Sequence, residues 1–395
     1  MMAISRADNS VLGRWWWTID RWTLAALLAL IGFGYVMMLA ASPAVAERVI
    51  GSDARSLLLV KQVVFLALAA SLMVIVSLLS PKGIRRFALV GCLVALALTA
   101  ATLVIGFETK GARRWLNFPL LGTMQPSEFL KPCFAVVTAW LLSLGKEAGM
   151  ARLAAGRPRD LGLLHPRLFW PGLALGLLAV IAVVLKSQPD FGMLMVVVSV
   201  FLAQSFVAGL NLVLVGFSAL GGVGLAVGAY FILPHVRSRV DRFLDPAAGD
   251  TFQITKSMEA FGYGGLFGRG PGEGRVKNLI PDAHADFVFA VAGEEFGFII
   301  CALILLLFAF VVVRGLWRLM AEGDLFVVLA ATGLLAQFGL QAFVNMASTL
   351  HLIPTKGMTL PFVSYGGSSV LAIAMGMGML LALTRRRGPR LEGRE

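Results

Sequence analysis

Residues 22–43, WTLAALLALIGFGYVMMLAASP, carry no charged side chain from end to end. One helical crossing of a bilayer takes ~20 mostly apolar residues, so this run alone is long enough to span. No small-residue cleavage site follows it in a suitable place, so it is expected to be retained as a first membrane helix and not removed as a signal peptide. Nine further apolar runs follow between breakers, at 57–79, 87–107, 127–145, 170–187, 189–207, 210–233, 286–313, 325–350 and 366–384. The expected fold is therefore an all-α polytopic membrane protein of about ten transmembrane helices, with a large loop between the seventh and the eighth.

Composition agrees. Of 395 residues, 58% are hydrophobic and 14% charged, and the mean hydropathy is +0.84. Soluble domains run near half apolar and a quarter charged. Cys92, Cys133 and Cys301 all lie in or beside apolar runs, an odd set that gives no disulfide framework.

An even number of spans puts both termini on one side, and the positive-inside rule selects it. Lys82, Arg85 and Arg86; Lys146, Arg152, Arg157, Arg159 and Arg167; Arg314 and Arg318; and Arg385, Arg386 and Arg387 share a side only if the N-terminus is cytoplasmic. The expected organisation is a cytoplasmic segment 1–21, a membrane domain 22–384 with an outer loop at about 234–285, and a basic cytoplasmic tail 385–395. Trp15, Trp16 and Trp17 would then form an interfacial belt.

The opposite face carries polar stretches at 108–126, 234–285 and 351–365, and it is also basic: Lys110, Arg113, Arg114, Arg237, Arg239, Arg242, Lys256, Arg269, Arg275, Lys277 and Lys356. Two readings stay open. Long loops cross regardless of charge, or an anionic substrate is handled there. Within the long loop, Phe252, Thr255, Met258 and Phe261 recur at helical spacing before Gly262, Gly264 and Gly265, which points to a short interfacial helix.

Ionisable and amide groups near lipid are costly and are functional candidates by default. Glu128 and Lys131 share a helix face and can form a structural ion pair. Gln337, Gln341 and Asn345 step along the ninth span and read as interhelical hydrogen-bonding groups. Asp190, in Lys186-Ser187-Gln188-Pro189-Asp190, can cap the next helix, hold a basic partner or bind a metal. Asp286, in His284-Ala285-Asp286-Phe287, closes the basic loop, and its plain reading is a cap for the eighth span.

Below Asp286 on the same helical face lie Ala290, Gly293 and Gly297, a groove of small residues for a second helix or for a lipid chain. Glu294 and Glu295 point elsewhere. The run Gly268-Arg269-Gly270-Pro271-Gly272-Glu273-Gly274 lacks the ending of a P-loop and reads as a flexible turn, with backbone amides available to phosphate. The four histidines show no metal-ligand spacing.

Several of these stretches, taken in order, resemble the SEDS family of bacterial cell-wall polymerases (shape, elongation, division and sporulation). They are Lys110-Gly111-Ala112-Arg113-Arg114-Trp115-Leu116, Gln125-Pro126-Ser127-Glu128 with Lys131, and Gln188-Pro189-Asp190-Phe191-Gly192. Later come His284 to Phe287, Ala292 to Gly297, and Pro354-Thr355-Lys356-Gly357 through Pro361 to Ser369. The Pro-Thr-Lys-Gly form and the Asp20-Arg21-Trp22 stretch resemble the division branch more than the elongation branch.

The resemblance implies a peptidoglycan glycosyltransferase that polymerises lipid II at the outer face of the cytoplasmic membrane, at the septum. It would act with a class B penicillin-binding transpeptidase and other division proteins. The family's essential acid maps onto Asp286. Relatives usually have threonine where this chain has Ala285, so a hydroxyl is lost while the carboxylate stays.

In that reading Asp286 is the general base. Lys110, Arg113, Lys131, Arg242, Lys356, Ser364 and Ser368 are the expected substrate-binding residues, with Glu128, Gln188, Asp190 and His284 in supporting places. A divalent cation, magnesium or manganese, is the one implied cofactor. No nucleic-acid partner is expected. The rival readings are a lipid II flippase, the elongation-type polymerase, and a scaffold that only activates a partner.

Overall fold

A computed structural model describes residues 10–49, 52–109, 112–118, 122–154, 166–209, 234–245, 252–354 and 357–386, with isolated positions between 220 and 232. The expected span 210–233 falls mostly outside these residues, as do Lys110, Lys356 and the tail 387–395.

A short helix α1 (Val11–Thr18) precedes the first long one. Then follow α2 (Arg21–Val49), α3 (Ser52–Ser77), α4 (Pro81–Ile105), α5 (Pro126–Ala154), α6 (Pro166–Ser187) and α7 (Phe191–Val207). Beyond them lie α8 (Pro234–Leu244), α9 (Phe252–Gly264), α10 (Val288–Leu319), α11 (Leu325–Thr349) and α12 (Gly367–Leu383). Nine of the ten expected spans are thus helices among the described residues. Seven are long and apolar enough to cross a membrane, and α7 and α12 are shorter apolar helices.

Burial explains the arrangement. Residues 131–139 of α5 are buried on every side, as expected for a helix at the centre of a bundle. α5 packs against α4, α6, α7, α11 and α12, while α2 and α3 pair with each other and close on α10 and α12 respectively. From Ser368 to Leu383 every residue of α12 is buried. The peripheral helices instead turn large aliphatic side chains outward, among them Val90, Leu93, Val183 and Leu306, the surface that a lipid solvent requires.

At one end of the bundle, Arg314 donates from Nε and Nη2 to the buried Asp20 carboxylate, at 2.8 Å each. Arg318 Nη2 donates to Thr384 O at 2.7 Å, and the Arg386 amide to Thr18 O at 2.9 Å. Burial pushes the Asp20 carboxyl up, but the bonds from Arg314 and Thr23 and the charge of Arg318 outweigh it, holding the group below the usual carboxylate range. Residues 18–20 and 384–386 therefore share one end, as an even number of spans requires. The tryptophan belt is only partial. Trp15 is buried and donates to Ser77 Oγ at 2.8 Å, whereas Trp17 is exposed.

At the far end, the stretch read from sequence as a polar loop folds back as an antiparallel ribbon. Strand β1 (Phe107–Thr109) pairs with β2 (Ala112–Phe118), and β2 with β3 (Gly122–Met124). The expected loop helix is α9. It buries Ser257, Ala260 and Gly264 and exposes Phe252, Thr255 and Met258, the division expected of an interfacial helix.

α10 starts two residues later than expected and breaks at Gly297, whose φ of 77° and ψ of −174° interrupt the helix. The glycine-rich run fills the break. The amides of Arg269 and Gly270 donate to the carbonyls of Glu294 and Glu295, and those of Phe298 and Ile299 to the carbonyls of Gly265 and Leu266. This corrects the reading of that run as a flexible turn facing phosphate: its amides at 269 and 270 serve carbonyls that the broken helix cannot satisfy itself.

Candidate functional site

Asp286 lies in the turn before α10, and Phe287, not Asp286, occupies the helix-capping position, without a side-chain cap bond. The plain capping reading is therefore set aside. Three successive carbonyls of this turn are each held by a donor from α11 or the loop after it. Tyr365 N donates to His284 O at 2.9 Å, Ser364 Oγ to Ala285 O at 2.6 Å, and Asn345 Nδ2 to Asp286 O at 3.0 Å. Asn345 Nδ2 also donates to Met358 O at 2.6 Å. The same loop runs against the carboxylate itself: a Cβ built on Gly357 would stand 2.9 Å from Asp286 Oδ2.

Ser364, expected at the substrate, is wholly buried, and its oxygen also accepts from Leu360 N at 2.7 Å. Ser368 is buried in the first turn of α12. Ser364 lies behind the turn that carries Asp286, and neither serine is on an open surface. His284 packs its ring against Tyr365, with centroids 5.3 Å apart. Burial holds the His284 imidazole below its ordinary pKa against the opposing charge of Asp282, which leaves it neutral near pH 7. Burial likewise raises the Tyr365 phenol.

A second polar set gathers where β2 meets the turn before α7. Arg114 donates from Nε to Gln188 O at 2.8 Å and from Nη2 to Pro189 O at 2.7 Å, with Nη1 3.5 Å from Asp190 Oδ2. Asp190 caps α7 by accepting from Met193 N at 3.2 Å, so it is both the cap and the acid with a basic partner. Gln188 is buried and donates to Thr99 O and to Thr102 Oγ1. Adjacent strand residues face opposite ways, so Arg113 stays on the outer side of the ribbon, 3.8 Å from the exposed Glu108. Of the two arginines, sequence reasoning had favoured the one that points away from the turn.

Arg239 of α8 lies within electrostatic range of both sets. Burial first, then the like charges of Arg114 and Arg242, hold its guanidinium below the ordinary pKa, while Asp190 and Asp286 raise it. Its side chain is nonetheless exposed at the surface. Arg242 is partly buried and donates to Ser238 O within its own helix, at 3.0 Å.

Lys131 takes no part in that surface. It is 2% exposed, pairs with Glu128 at 2.8 Å and donates to Gln341 Oε1 at 3.0 Å. Gln341 in turn donates toward Thr359 and Ser369. The structural reading of the pair and of the amide stripe fits this geometry, and the placing of Lys131 at the substrate does not.

The small-residue groove is occupied by protein. A Cβ on Gly293 would collide with the Phe261 ring, and one on Gly264 with the Gly293 carbonyl. It seats α9 and leaves no slot for a lipid chain, which decides between the two readings given above. Glu294 and Glu295, without a role in the sequence reading, hold the outer loop. Glu294 accepts from the amides of Arg275, Val276 and Lys277 at 2.7 Å each, and Glu295 pairs with buried Lys277.

Arg114, Arg239 and Lys277 stand in the sequence only as members of a basic face, and Asn345 only as a step of an amide stripe; none of the four is placed at the site by sequence alone. Among the described residues no three His, Cys, Asp or Glu side chains cluster as metal ligands, so these residues form no protein-only cage for a cation.

Comparison with known proteins adds the following. The family model described as a cell cycle protein, of the FtsW, RodA and SpoVE type, matches residues 21–388. A relative from Caulobacter vibrioides, named "Probable peptidoglycan glycosyltransferase FtsW", is 44% identical over 98% of this chain and 94% of its own length. A solved structure described as "Structural coordination of polymerization and crosslinking by a peptidoglycan synthase complex" matches at 27% identity and a TM-score of 0.71, over 93% of this chain and 97% of that one. The crystal structure of the rod-shape-determining protein RodA of Thermus thermophilus matches at 27% identity and a TM-score of 0.63, over the same shares.

Proposed function

This chain belongs to the FtsW, RodA and SpoVE family of cell cycle proteins, and from that premise we propose how it acts: Asp286 deprotonates the attacking sugar of lipid II at the outer face of the bacterial membrane. The chain is a multi-pass membrane protein and a peptidoglycan glycosyltransferase of the FtsW type. The observation that carries the mechanism is the carboxylate of Asp286, set on a turn whose three carbonyls are each pinned.

A sugar hydroxyl is a weak nucleophile, so a positioned base takes its proton as the bond forms. The acceptor is the 4-hydroxyl of GlcNAc on lipid II. Its oxygen bonds to the donor's anomeric carbon, the bond from that carbon to the diphosphate breaks, and the proton passes to Asp286. Single displacement inverts the centre, so an α-linked diphosphate becomes a β-1,4 glycan. Negative charge grows on undecaprenyl diphosphate, where fixed cations stabilise it. Arg239 and Arg242 are the described cations proposed for this role, together with Lys110 and Lys356, which the family resemblance adds. A divalent cation would supply the same neutralisation. Magnesium commonly binds through one or two carboxylates together with substrate phosphates.

We propose that both termini lie in the cytoplasm, the ribbon and α8 outside, and the protein at the division septum. A class B penicillin-binding transpeptidase is its proposed partner. The test is polymerisation of lipid II by the full chain in detergent, with and without that partner. A glycan ladder is expected. If neither condition gives polymer while the protein moves lipid II between leaflets of a vesicle, the flippase reading replaces this one.

Gly357 offers a finer check. Alanine there would press a methyl group on the Asp286 carboxylate, and misplacement of about 1 Å can cost on the order of 10²-fold. Gly357→Ala is expected to slow polymerisation by about tenfold or more without loss of folded protein on gel filtration. An unchanged rate would mean that the loop does not constrain the acid.

A further inference from the structure

We infer that Asn345 is the positioning residue for Asp286, acting as a double donor that ties the acid's turn to the loop opposite it. The inference rests on Asp286 being the general base. Asn345 lies near the end of α11 and is completely buried. Its Nδ2 donates to Asp286 O at 3.0 Å and to Met358 O at 2.6 Å. These partners fix the amide's orientation, because two carbonyl oxygens accept and do not donate.

Met358 follows Gly357, whose backbone runs against the Asp286 carboxylate. One side chain thus sets both the acid's own backbone and the segment that confines its carboxylate. Ser364 and Tyr365 hold the two preceding carbonyls, so removing Asn345 releases the turn only at the acid, the third and last of the three. The sequence showed Asn345 as one step of an amide stripe. The structure separates its role from that of Gln341, which serves Lys131 and Thr359.

The test compares Asn345→Ala and Asn345→Asp in the full chain with its transpeptidase partner. Both keep KM for lipid II within about threefold, and kcat falls about 10- to 100-fold in Asn345→Ala. Near neutral pH, Asn345→Asp falls further, because an ionised carboxylate would face two carbonyl oxygens. If the position were only space to be filled, the near-isosteric aspartate would be the milder change, and that order overturns the inference.

A rise in KM with kcat intact overturns it as well, as does full activity of Asn345→Ala. If Asn345→Ala does not fold, Asn345→Leu, of similar size but with no donor, carries the test: kcat falls with KM unchanged, and an unchanged kcat refutes the role of Asn345. Asp286→Asn is run alongside. An active Asp286→Asn with an inactive Asn345→Ala removes the base assignment. An inactive Asp286→Asn with a fully active Asn345→Ala removes only the role of Asn345.

Discussion

Replacing Asp286 with asparagine is expected to lower kcat for lipid II polymerisation by about 10²–10⁴-fold, the usual contribution of a positioned general base. The substitution keeps the size of the side chain, and the turn is held through carbonyls that asparagine retains: His284 O, Ala285 O and Asp286 O. Folding, membrane insertion and binding of the partner should therefore survive, and the loss should appear in kcat. Asp286→Glu tests geometry in the same place. The added methylene would move the carboxylate from its place beside Gly357, where a Cβ would stand only 2.9 Å from Oδ2, so low activity is expected there too.

The nearby imidazole is a weaker candidate base. His284 is held neutral by burial, but its ring lies packed against Tyr365. His284→Ala should therefore cost much less than Asp286→Asn. Because a carboxylate accepts a proton only when ionised, the wild-type rate should fall at acid pH, and any residual Asp286→Asn rate should lack that limb. An Asp286→Asn protein that keeps its rate within a few-fold would end the assignment.

The membrane helices were legible because their signal is simple: twenty or so apolar residues between breakers. The errors arose where tertiary contacts decide. Within 108–126 no regular structure was read, so nothing distinguished Arg113 from Arg114. Pairing as a strand sends one outward to Glu108 and the other inward to the 188–190 turn. Gly293 and Gly297 were correctly read as a face for close approach, but what approaches comes from residues 261–268, and helical spacing alone cannot name it. The break in α10 was hidden for the same reason. Hydropathy runs straight through Gly297, and only the amides donated from 269 and 270 show why the helix can afford to open there. Lys277 looked like one of many basic loop residues, yet it is 1% exposed.

That buried lysine carries the second large expected effect, on stability. Lys277 pairs with Glu295, which is 0% exposed, and donates to Ala40 O at 2.6 Å. It thereby joins the outer loop to α10 and to α2. Removing one partner of a buried ion pair leaves an uncompensated charge and costs about 3–5 kcal/mol, whereas replacing both by apolar or neutral groups of similar size is often nearly neutral. Glu295→Gln and Lys277→Met are each expected to lower the melting temperature in detergent by roughly 5–10 °C. The double substitution should recover most of that loss. Glu294→Ala should also destabilise, since it strips the amides of Arg275, Val276 and Lys277 of their shared acceptor. Additive losses in the double substitution would show that Lys277 and Glu295 contribute separately and not as a pair. Recovered stability without recovered polymerisation would show that the pair also sets where α10 begins, and with it the turn that presents Asp286.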